Sequence, residues 1–150
     1  KPLNPGRLND QRYVIYKTRY DNIVTAKKNL ALVCKSGFLK ENIDGEAIHW
    51  AYKRSLSFAS KKNYLLYLSD GIPIDEATIN NNNNVGILND HLATTVKKIE
   101  RKRGCKLLVT GPHVDTSINY QNFIPFTDYK DIKLNLIKRI HDCFKGSASN

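Results

Sequence analysis

Two nearly uninterrupted apolar runs place the strongest constraint on the fold. Residues 63–69 read NYLLYLS and residues 106–111 read KLLVTG, with almost no polar alternation. A strand of this kind is covered on both faces, as strands of parallel sheets are. The segment between the runs has the apolar spacing of a helix, at Leu88, Leu92, Val96 and Ile99. This strand–helix–strand order predicts an α/β fold with a mostly parallel sheet.

The patterns on either side predict further elements. Residues 12–17 (RYVIYK) are β-branched and aromatic and predict a short strand, and residues 123–127 (FIPFT) predict a weaker one because of Pro125. Helical apolar stripes predict one helix over residues 22–37 and a last helix over residues 132–144.

Local residue types add two details. Asp44 is placed to cap a second early helix, whose buried face would be formed by Ala47, Ile48, Ala51 and Tyr52. Residues 80–84 are five consecutive asparagines, which predict a loop tip.

Length and composition bound the class of protein. The chain has 150 residues, which predicts a single domain over residues 1–150, with residues 1–10 linker-like and residues 145–150 a flexible tail. No apolar run is long enough for a membrane span or a secretory signal. The three cysteines form no CxxC pair, which favours reduced core thiols in a cytoplasmic protein. The absence of methionine predicts a fragment or a processed product.

Charge is distributed unevenly along the chain. The net charge is +10, yet residues 64–96 contain no Lys or Arg and four acidic residues. The flanking segments are basic, at +8 over residues 1–63 and +6 over residues 97–150. The acidic island could serve a cation or a basic partner surface.

Asp70 is the sharpest local signal, because it directly follows the 63–69 strand. Ligands of open α/β sheets bind at the carboxyl ends of strands. A carboxylate there, with hydroxyl and amide oxygens nearby, suits a hard cation such as Mg²⁺. Alternatively, Asp70 and Gly71 simply form a turn and Asp75 caps a helix. The local motif leaves both interpretations open.

The remaining polar residues point to no catalytic site. No GxSxG context supports a Ser-His-Asp constellation. His49, His91 and His141 are interpreted as packed or surface histidines. The basic run from Lys97 to Arg103 is interpreted as a solvated helix end, since a nucleic-acid site would need interleaved aromatic residues. No catalytic residue is therefore expected.

Three segments carry a resemblance to a known family. They are residues 66–79 (LYLSDGIPIDEATI), residues 39–51 (LKENIDGEAIHWA) and residues 4–17 (NPGRLNDQRYVIYK). The chain resembles, from Asn4 to Phe144, the von Willebrand factor A domain of the T subunit of aerobic cobaltochelatase. The resemblance implies a Rossmann-like α/β sandwich with a mostly parallel sheet.

The resemblance also implies a function. The T subunit works with an AAA+ ATPase subunit and a large catalytic subunit, which inserts cobalt into hydrogenobyrinic acid a,c-diamide in cobalamin biosynthesis. It implies that this chain is a protein-interaction module of an ATP-dependent ligase, without an active centre of its own. Two alternatives remain: a metal-dependent adhesion or scaffold domain outside the cobalamin pathway, and a basic nucleic-acid-binding module.

The resemblance implies a metal-ion-dependent adhesion site built from three loops. Asp70 corresponds to the third loop, and Asn42 or Asp44 would stand in for the second. The first loop's DxSxS motif does not occur in these 150 residues. We therefore expect an incomplete site with weak or no Mg²⁺ binding by this chain, and a Mg²⁺ site in a complete protein. After the 106–111 strand, Asp115 and Tyr120 align with the family, whereas His113 is displaced.

The missing DxSxS strand has a structural consequence. In this fold it is the central strand, so its loss leaves the 63–69 strand with an open hydrogen-bonding edge and an uncovered apolar face. We expect either the 12–17 strand to move to this edge or a second copy of the chain to pair with it from Tyr64 to Ser69.

Overall fold

Helices and strands alternate along the chain as the apolar spacing predicts. The structure, a computed structural model, describes residues 5–58, 60, 62–111, 118, 120–125, 128, 130 and 135–145, with only the backbone at 143 and 144. The elements in chain order are α1 (Ile23–Leu30), a 3₁₀ helix (Ala31–Cys34), α2 (Asp44–Leu56), β1 (Asn63–Leu68), α3 (Glu76–Asn82), α4 (Ile87–Glu100), β2 (Cys105–Gly111), β3 (Phe123–Pro125) and α5 (Ile137–Lys145).

The three strands form one parallel sheet in the order β1-β2-β3. In the register, Leu65 lies opposite Leu107, and Val109 lies opposite Phe123. The structure therefore confirms the α/β fold and the parallel sheet. Parallel pairing requires a crossover between the strands, and α3 and α4 provide it between β1 and β2.

The core lies between the sheet and the pair α2 and α4. Apolar residues from α2, α4 and the sheet meet there, because the apolar stripe of α4 faces the sheet along the length of the helix. The buried residues of this core include Ile48, Leu92, Val96, Ile99, Leu107 and Val109. Cys105 is a buried free thiol, as expected, and burial raises its pKa. Cys34 is free but exposed, so the expectation of a core thiol is wrong there.

β1 forms the outer edge of the sheet among the described strands. Its side chains alternate, so Leu65 and Tyr67 pack against the core while Leu66 and Leu68 point away from it. Leu66 is 40% exposed and Leu68 is 63% exposed. Coverage on both faces was therefore a wrong expectation for this strand, whereas the expected open edge and uncovered apolar face are found among the described residues.

The predicted strand over residues 12–17 is wrong. This segment forms no ladder with the described strands and runs along α2 instead. The ring of Tyr13 stacks on that of Trp50 with centroids 4.5 Å apart and an angle of 6° between the planes. An aromatic partner on α2 thus takes the place of a strand partner, and none of the described strands pairs with the outer edge of β1.

The first three asparagines of the run are helical, which corrects the prediction of a loop tip there, whereas residues 83 and 84 do lie in the connection before α4. Residues 80–82 belong to α3, and the helix ends at Asn83, whose φ of 47° is left-handed. The amides of Asn81 and Asn82 donate to the carbonyls of Ala77 and Thr78, one turn earlier. Asn82 is only 5% exposed. These side-chain hydrogen bonds allow a poor helix-forming sequence to continue the helix.

Several predictions fall wholly or partly outside the described residues. They concern His113 and Asp115, the end of the 123–127 strand, the first turn of the 132–144 helix and the tail from residue 146 onward. Within the described residues, β3 and α5 agree with the predicted strand and helix. None of the described helices combines the length and the apolar character that crossing a membrane requires.

Candidate functional site

The loop before α2 meets the loop after β1 at the carboxyl end of the sheet. Asn42 and Ile74 form an isolated antiparallel bridge, in which the Asn42 N–H donates to the Ile74 carbonyl at 2.9 Å. The Asn42 side-chain oxygen accepts from the Ile74 N–H at 3.2 Å. Both loops are thereby fixed beside Asp44 and Asp70, two of the predicted site residues.

Asp44 does not cap α2, which corrects that prediction. Ile43 occupies the N-cap position, and Asp44 is the first residue of the helix. The carboxylate turns inward instead. It accepts from Asn42 Nδ2 at 2.9 Å through Oδ1 and from the Tyr67 hydroxyl at 2.6 Å through Oδ2. Asp44 is only 6% exposed, so these two donors take the place of water.

The electrostatics of Asp44 are those of a buried carboxyl without a cationic partner. Burial raises its pKa, and the nearby charge of Asp70 raises it further, while the hydrogen bonds from Tyr67 and Asn42 act in the opposite direction. The pKa of Tyr67 is also raised, mainly by burial and then by the Asp44 charge. Tyr67 therefore stays protonated and remains a donor to Asp44 at neutral pH.

Ser69 extends the polar cluster to the end of β1. Its hydroxyl oxygen lies 3.1 Å from that of Tyr67, because residues two apart on a strand share a face. It also accepts from the Gly71 N–H at 3.2 Å, and its oxygen lies 3.0 Å from the Gly71 carbonyl. This hydroxyl orders the turn on which the exposed side chain of Asp70 stands.

A family comparison identifies the chain at this point. The family model described as "Cobalamin biosynthesis protein CobT VWA domain" matches residues 1–146. The chain belongs to the CobT VWA family. The predicted family is therefore confirmed, and the family is that of a cobalamin biosynthesis protein. No solved structure gives a significant match to the chain.

The CobT VWA domain brings Asn42, Asp44 and Asp70 together, and the geometry shows how each could serve a metal ion. Both Asp44 oxygens and the Asn42 oxygen already accept hydrogen bonds. Each would have to exchange a hydrogen bond for a cation. Asp70 makes no hydrogen bond within the described part of the chain, so its carboxylate could bind a cation at no such cost. Of the three side chains, only that of Asp70 could bind a cation without first giving up a hydrogen bond within the described part of the chain.

Within the described ranges, no three or more His, Cys, Asp or Glu side chains are grouped so that they could hold a metal ion. The described residues of the CobT VWA domain therefore do not by themselves supply a carboxylate- and imidazole-rich metal centre. The predicted assignment of Asn42, Asp44 and Asp70 as metal ligands remains a prediction.

Sequence reasoning missed two participants, Tyr67 and Ser69. Both lie in the apolar run of residues 63–69, which predicts a buried strand and gives neither residue a role in the site. The available signal was their spacing, since a hydroxyl at each of two alternate positions on a buried face needs a partner. That partner is the Asp44 carboxylate on α2 of the CobT VWA domain, which only the packing of α2 on β1 reveals.

Asp75 caps a helix, which is the role that the sequence offered as the alternative to a metal site. It caps α3, with Oδ1 accepting from the Thr78 N–H at 3.3 Å, and it is 1% exposed. Its oxygens also accept from Asn9 Nδ2 at 2.7 Å and from the Thr78 hydroxyl at 2.9 Å. Asp75 therefore joins the N-terminal segment to α3 in the CobT VWA domain.

Proposed function

We propose that this domain is a protein-interaction module of the aerobic, ATP-dependent cobaltochelatase complex, acting in the cytoplasm. The complex inserts cobalt, its metal substrate, into hydrogenobyrinic acid a,c-diamide. The observation that carries the proposal is the match of residues 1–146 to the VWA domain of a cobalamin biosynthesis protein. In this role the domain contributes binding surfaces, and the chelation chemistry belongs to the large catalytic subunit.

The proposed contact point is the exposed carboxylate of Asp70 at the carboxyl end of β1. Asp44 lies near enough for its pKa to be raised by the Asp70 charge, so the two carboxylates contribute to the same negative local field. A magnesium ion at Asp70 would neutralise part of that field and could bridge to a carboxylate of a partner subunit. It would need ligands beyond Asn42 and Asp44, because these 150 residues contain no DxSxS motif. We therefore propose weak Mg²⁺ binding by this chain alone.

The proposed partners are the AAA+ ATPase subunit and the large catalytic subunit. The basic segments on either side of the acidic island, at +8 and +6, suit a partner surface that is acidic. Electrostatic complementarity of this kind chiefly accelerates association, so capture by either partner should weaken as salt increases.

The deciding experiment mixes the purified 150-residue chain with the purified ATPase subunit, with and without Mg²⁺. We expect capture that requires Asp70, so that Asp70→Ala weakens it at least tenfold. Asp90→Ala is the matched control, because Asp90 is also an exposed acid of the same island. If both variants bind like wild type, Asp70 is not the contact point. If the wild-type chain does not bind the ATPase subunit, the alternative of an adhesion or scaffold domain outside the cobalamin pathway gains support.

We also propose that two copies of the chain pair through the open edge of β1. The segment over residues 12–17 forms no ladder with β1, and its Tyr13 packs on Trp50 of α2 instead. Residues 63–69 carry no charge and no proline, which are the usual protections of an exposed edge. Leu66 and Leu68 are exposed on the same strand, so pairing would also remove apolar surface from water.

A further inference from the structure

A cavity of about 460 Å³ lies in a groove between α2 and α4, and its lining includes none of Asn42, Asp44 and Asp70. Its floor includes Thr95 and Ile99, which are 7% and 2% exposed. Three aromatic rings line it as well, those of His49, Tyr52 and His91. The volume lies within the range of sites for small ligands, about 300–1,000 Å³.

Both helices run in the same direction along the groove. Gly45, at the start of α2, closely approaches the Leu92 backbone of α4. Two turns further along each helix, Tyr52 and Ile99 line the same cavity. The lining of α4 from His91 to Arg101 therefore extends about 15 Å along the helix axis. His91 lies at one end of the groove, and Tyr52 lies toward the other end, where α4 terminates.

Permanent positive charge collects at the C-terminal end of this groove. Lys98, Arg101 and Lys102 all line the cavity, and no carboxylate is among the lining residues that the structure describes. None of the three forms an ion pair with the described residues. Side chains three and four residues apart on a helix are neighbours, so these like charges repel one another. The helix C-terminus compensates part of that repulsion, and a bound anion would compensate more of it.

We propose that this groove binds a phosphate-bearing small molecule of the nucleotide class. Arg101 can hold a phosphate through two parallel N–H donors, and the two lysines add point charges beside it. Tyr52 and the histidine rings offer flat surfaces to a heterocyclic base over the apolar floor at Ile99. Asp70 does not line this groove, so an absence of nucleotide binding would leave the proposed function intact.

Calorimetric titration of the full 150-residue chain tests the proposal, with ADP, inorganic phosphate and adenosine as separate probes and no added metal. We expect saturable one-to-one binding of ADP. Phosphate and adenosine should each bind more weakly, because phosphate has no base to contact the rings and adenosine has no charge to contact the cations. Losing a charge-assisted hydrogen bond costs about tenfold in affinity. The triple variant Lys98→Gln, Arg101→Gln, Lys102→Gln should therefore bind ADP at least tenfold more weakly.

The matched control removes three exposed charges outside the groove, by Lys27→Gln, Lys28→Gln and Lys35→Gln. It should bind ADP within about twofold of wild type, since the net charges of the two triple variants are equal. Tyr52→Leu should weaken ADP binding and leave phosphate binding unchanged. A circular-dichroism melt of each variant checks that it is folded.

Three results would overturn the proposal. The first is an equal loss of ADP binding in both triple variants, which would mean that only net charge matters. The second is the absence of saturable ADP binding by the folded wild-type chain. The third is stronger binding of a polyglutamate peptide or of single-stranded RNA than of ADP, which would assign the groove to a macromolecule.

Discussion

Asn82 holds the N-terminal segment on α3 by binding both backbone groups of Gly6. Its Nδ2 donates to the Gly6 carbonyl at 2.9 Å, and its Oδ1 accepts from the Gly6 N–H at 3.0 Å. The two residues are 76 positions apart in the chain. A side-chain amide can act as donor and acceptor at once, so this one residue pairs with both polar backbone groups of Gly6.

Asn82→Ala should destabilise the fold by about 1–3 kcal/mol, because it leaves partly buried backbone groups of Gly6 without partners. The free energy of unfolding in urea measures the loss. Asn81→Ala is the control, since Asn81 is exposed and binds only within its own helix. We expect its effect to stay within about 0.5 kcal/mol. Equal losses in the two variants would show that the contact to Gly6 contributes nothing.

Tyr67→Phe should destabilise the domain by about 1–3 kcal/mol at pH 7, because the buried Asp44 carboxylate loses a donor. The raised pKa of Asp44 means that the native state binds its proton more tightly than the unfolded chain does. Its unfavourable contribution is thus absent below the unfolded pKa of about 3.9 and complete above the folded pKa. Losing the Tyr67 donor raises the folded pKa further.

The stability difference between Tyr67→Phe and wild type should therefore shrink as the pH falls from 7 toward 4. Urea unfolding at a series of pH values measures it. Tyr20→Phe is the control, because Tyr20 is 88% exposed and its hydroxyl faces solvent. The control should show little loss and no pH dependence. A Tyr67→Phe loss that is constant with pH would contradict the coupling to Asp44.

Gly45→Ala should destabilise the contact between α2 and α4. An added Cβ would lie 2.5 Å from His91 Nδ1 and 3.1 Å from the Leu92 Cα, so the His91 ring must rotate and the backbone must yield. Overpacking of this kind costs about 1–3 kcal/mol, which thermal unfolding would report. Adding His91→Ala should recover part of the loss, because it removes the nearer of the two contacts.

Gly86→Ala is the matched glycine control for that experiment. Its added Cβ would meet nothing nearer than 3.5 Å, and its φ of −84° suits alanine. We expect a change within about 0.5 kcal/mol. A Gly45→Ala protein as stable as the Gly86→Ala protein would mean that the two helices separate without cost.

Leu68→Lys should weaken self-association at least tenfold, because a charge on an exposed edge strand opposes pairing with a second copy. Leu68 is 63% exposed, so the stability of the single chain should change little. Sedimentation over a range of concentrations measures the association. Val85→Lys is the control, since Val85 is an exposed apolar residue far along the chain from β1 and 85% exposed. A wild-type chain that stays monomeric at high concentration would refute pairing through this edge.

The sequence predicted the sheet well where hydrophobicity is continuous, and it failed where the outcome depended on a distant partner. β1, β2 and α4 lie within a residue or two of their predicted positions, because burial of their apolar faces permits little else. Residues 12–17 have strand-forming composition, but Trp50 on α2 competes for Tyr13. Propensity gave no information about that competition.

The candidate site shows the same division. Asp70 was predictable from its position after an apolar strand, and Asn42 and Asp44 from a family resemblance. The hydrogen bonds that Asp44 accepts from Asn42 and Tyr67 were not predictable, since they join residues from separate elements. The asparagine run was misjudged for the same reason, because its last buried member contacts Gly6 at the other end of the chain.

The sequence alone determined the family, the parallel α/β class and the acidic position that ends β1. Those properties follow from local apolar periodicity and short motifs, which a linear chain displays directly. Only the tertiary structure decided that residues 12–17 pair with none of the described strands and that Asp44 is buried beside Tyr67. It also decided that three cations and three rings line one groove between α2 and α4. These arrangements depend on which residues, distant in the sequence, come within a few ångströms of one another. The packing of the helices on the sheet decides that proximity.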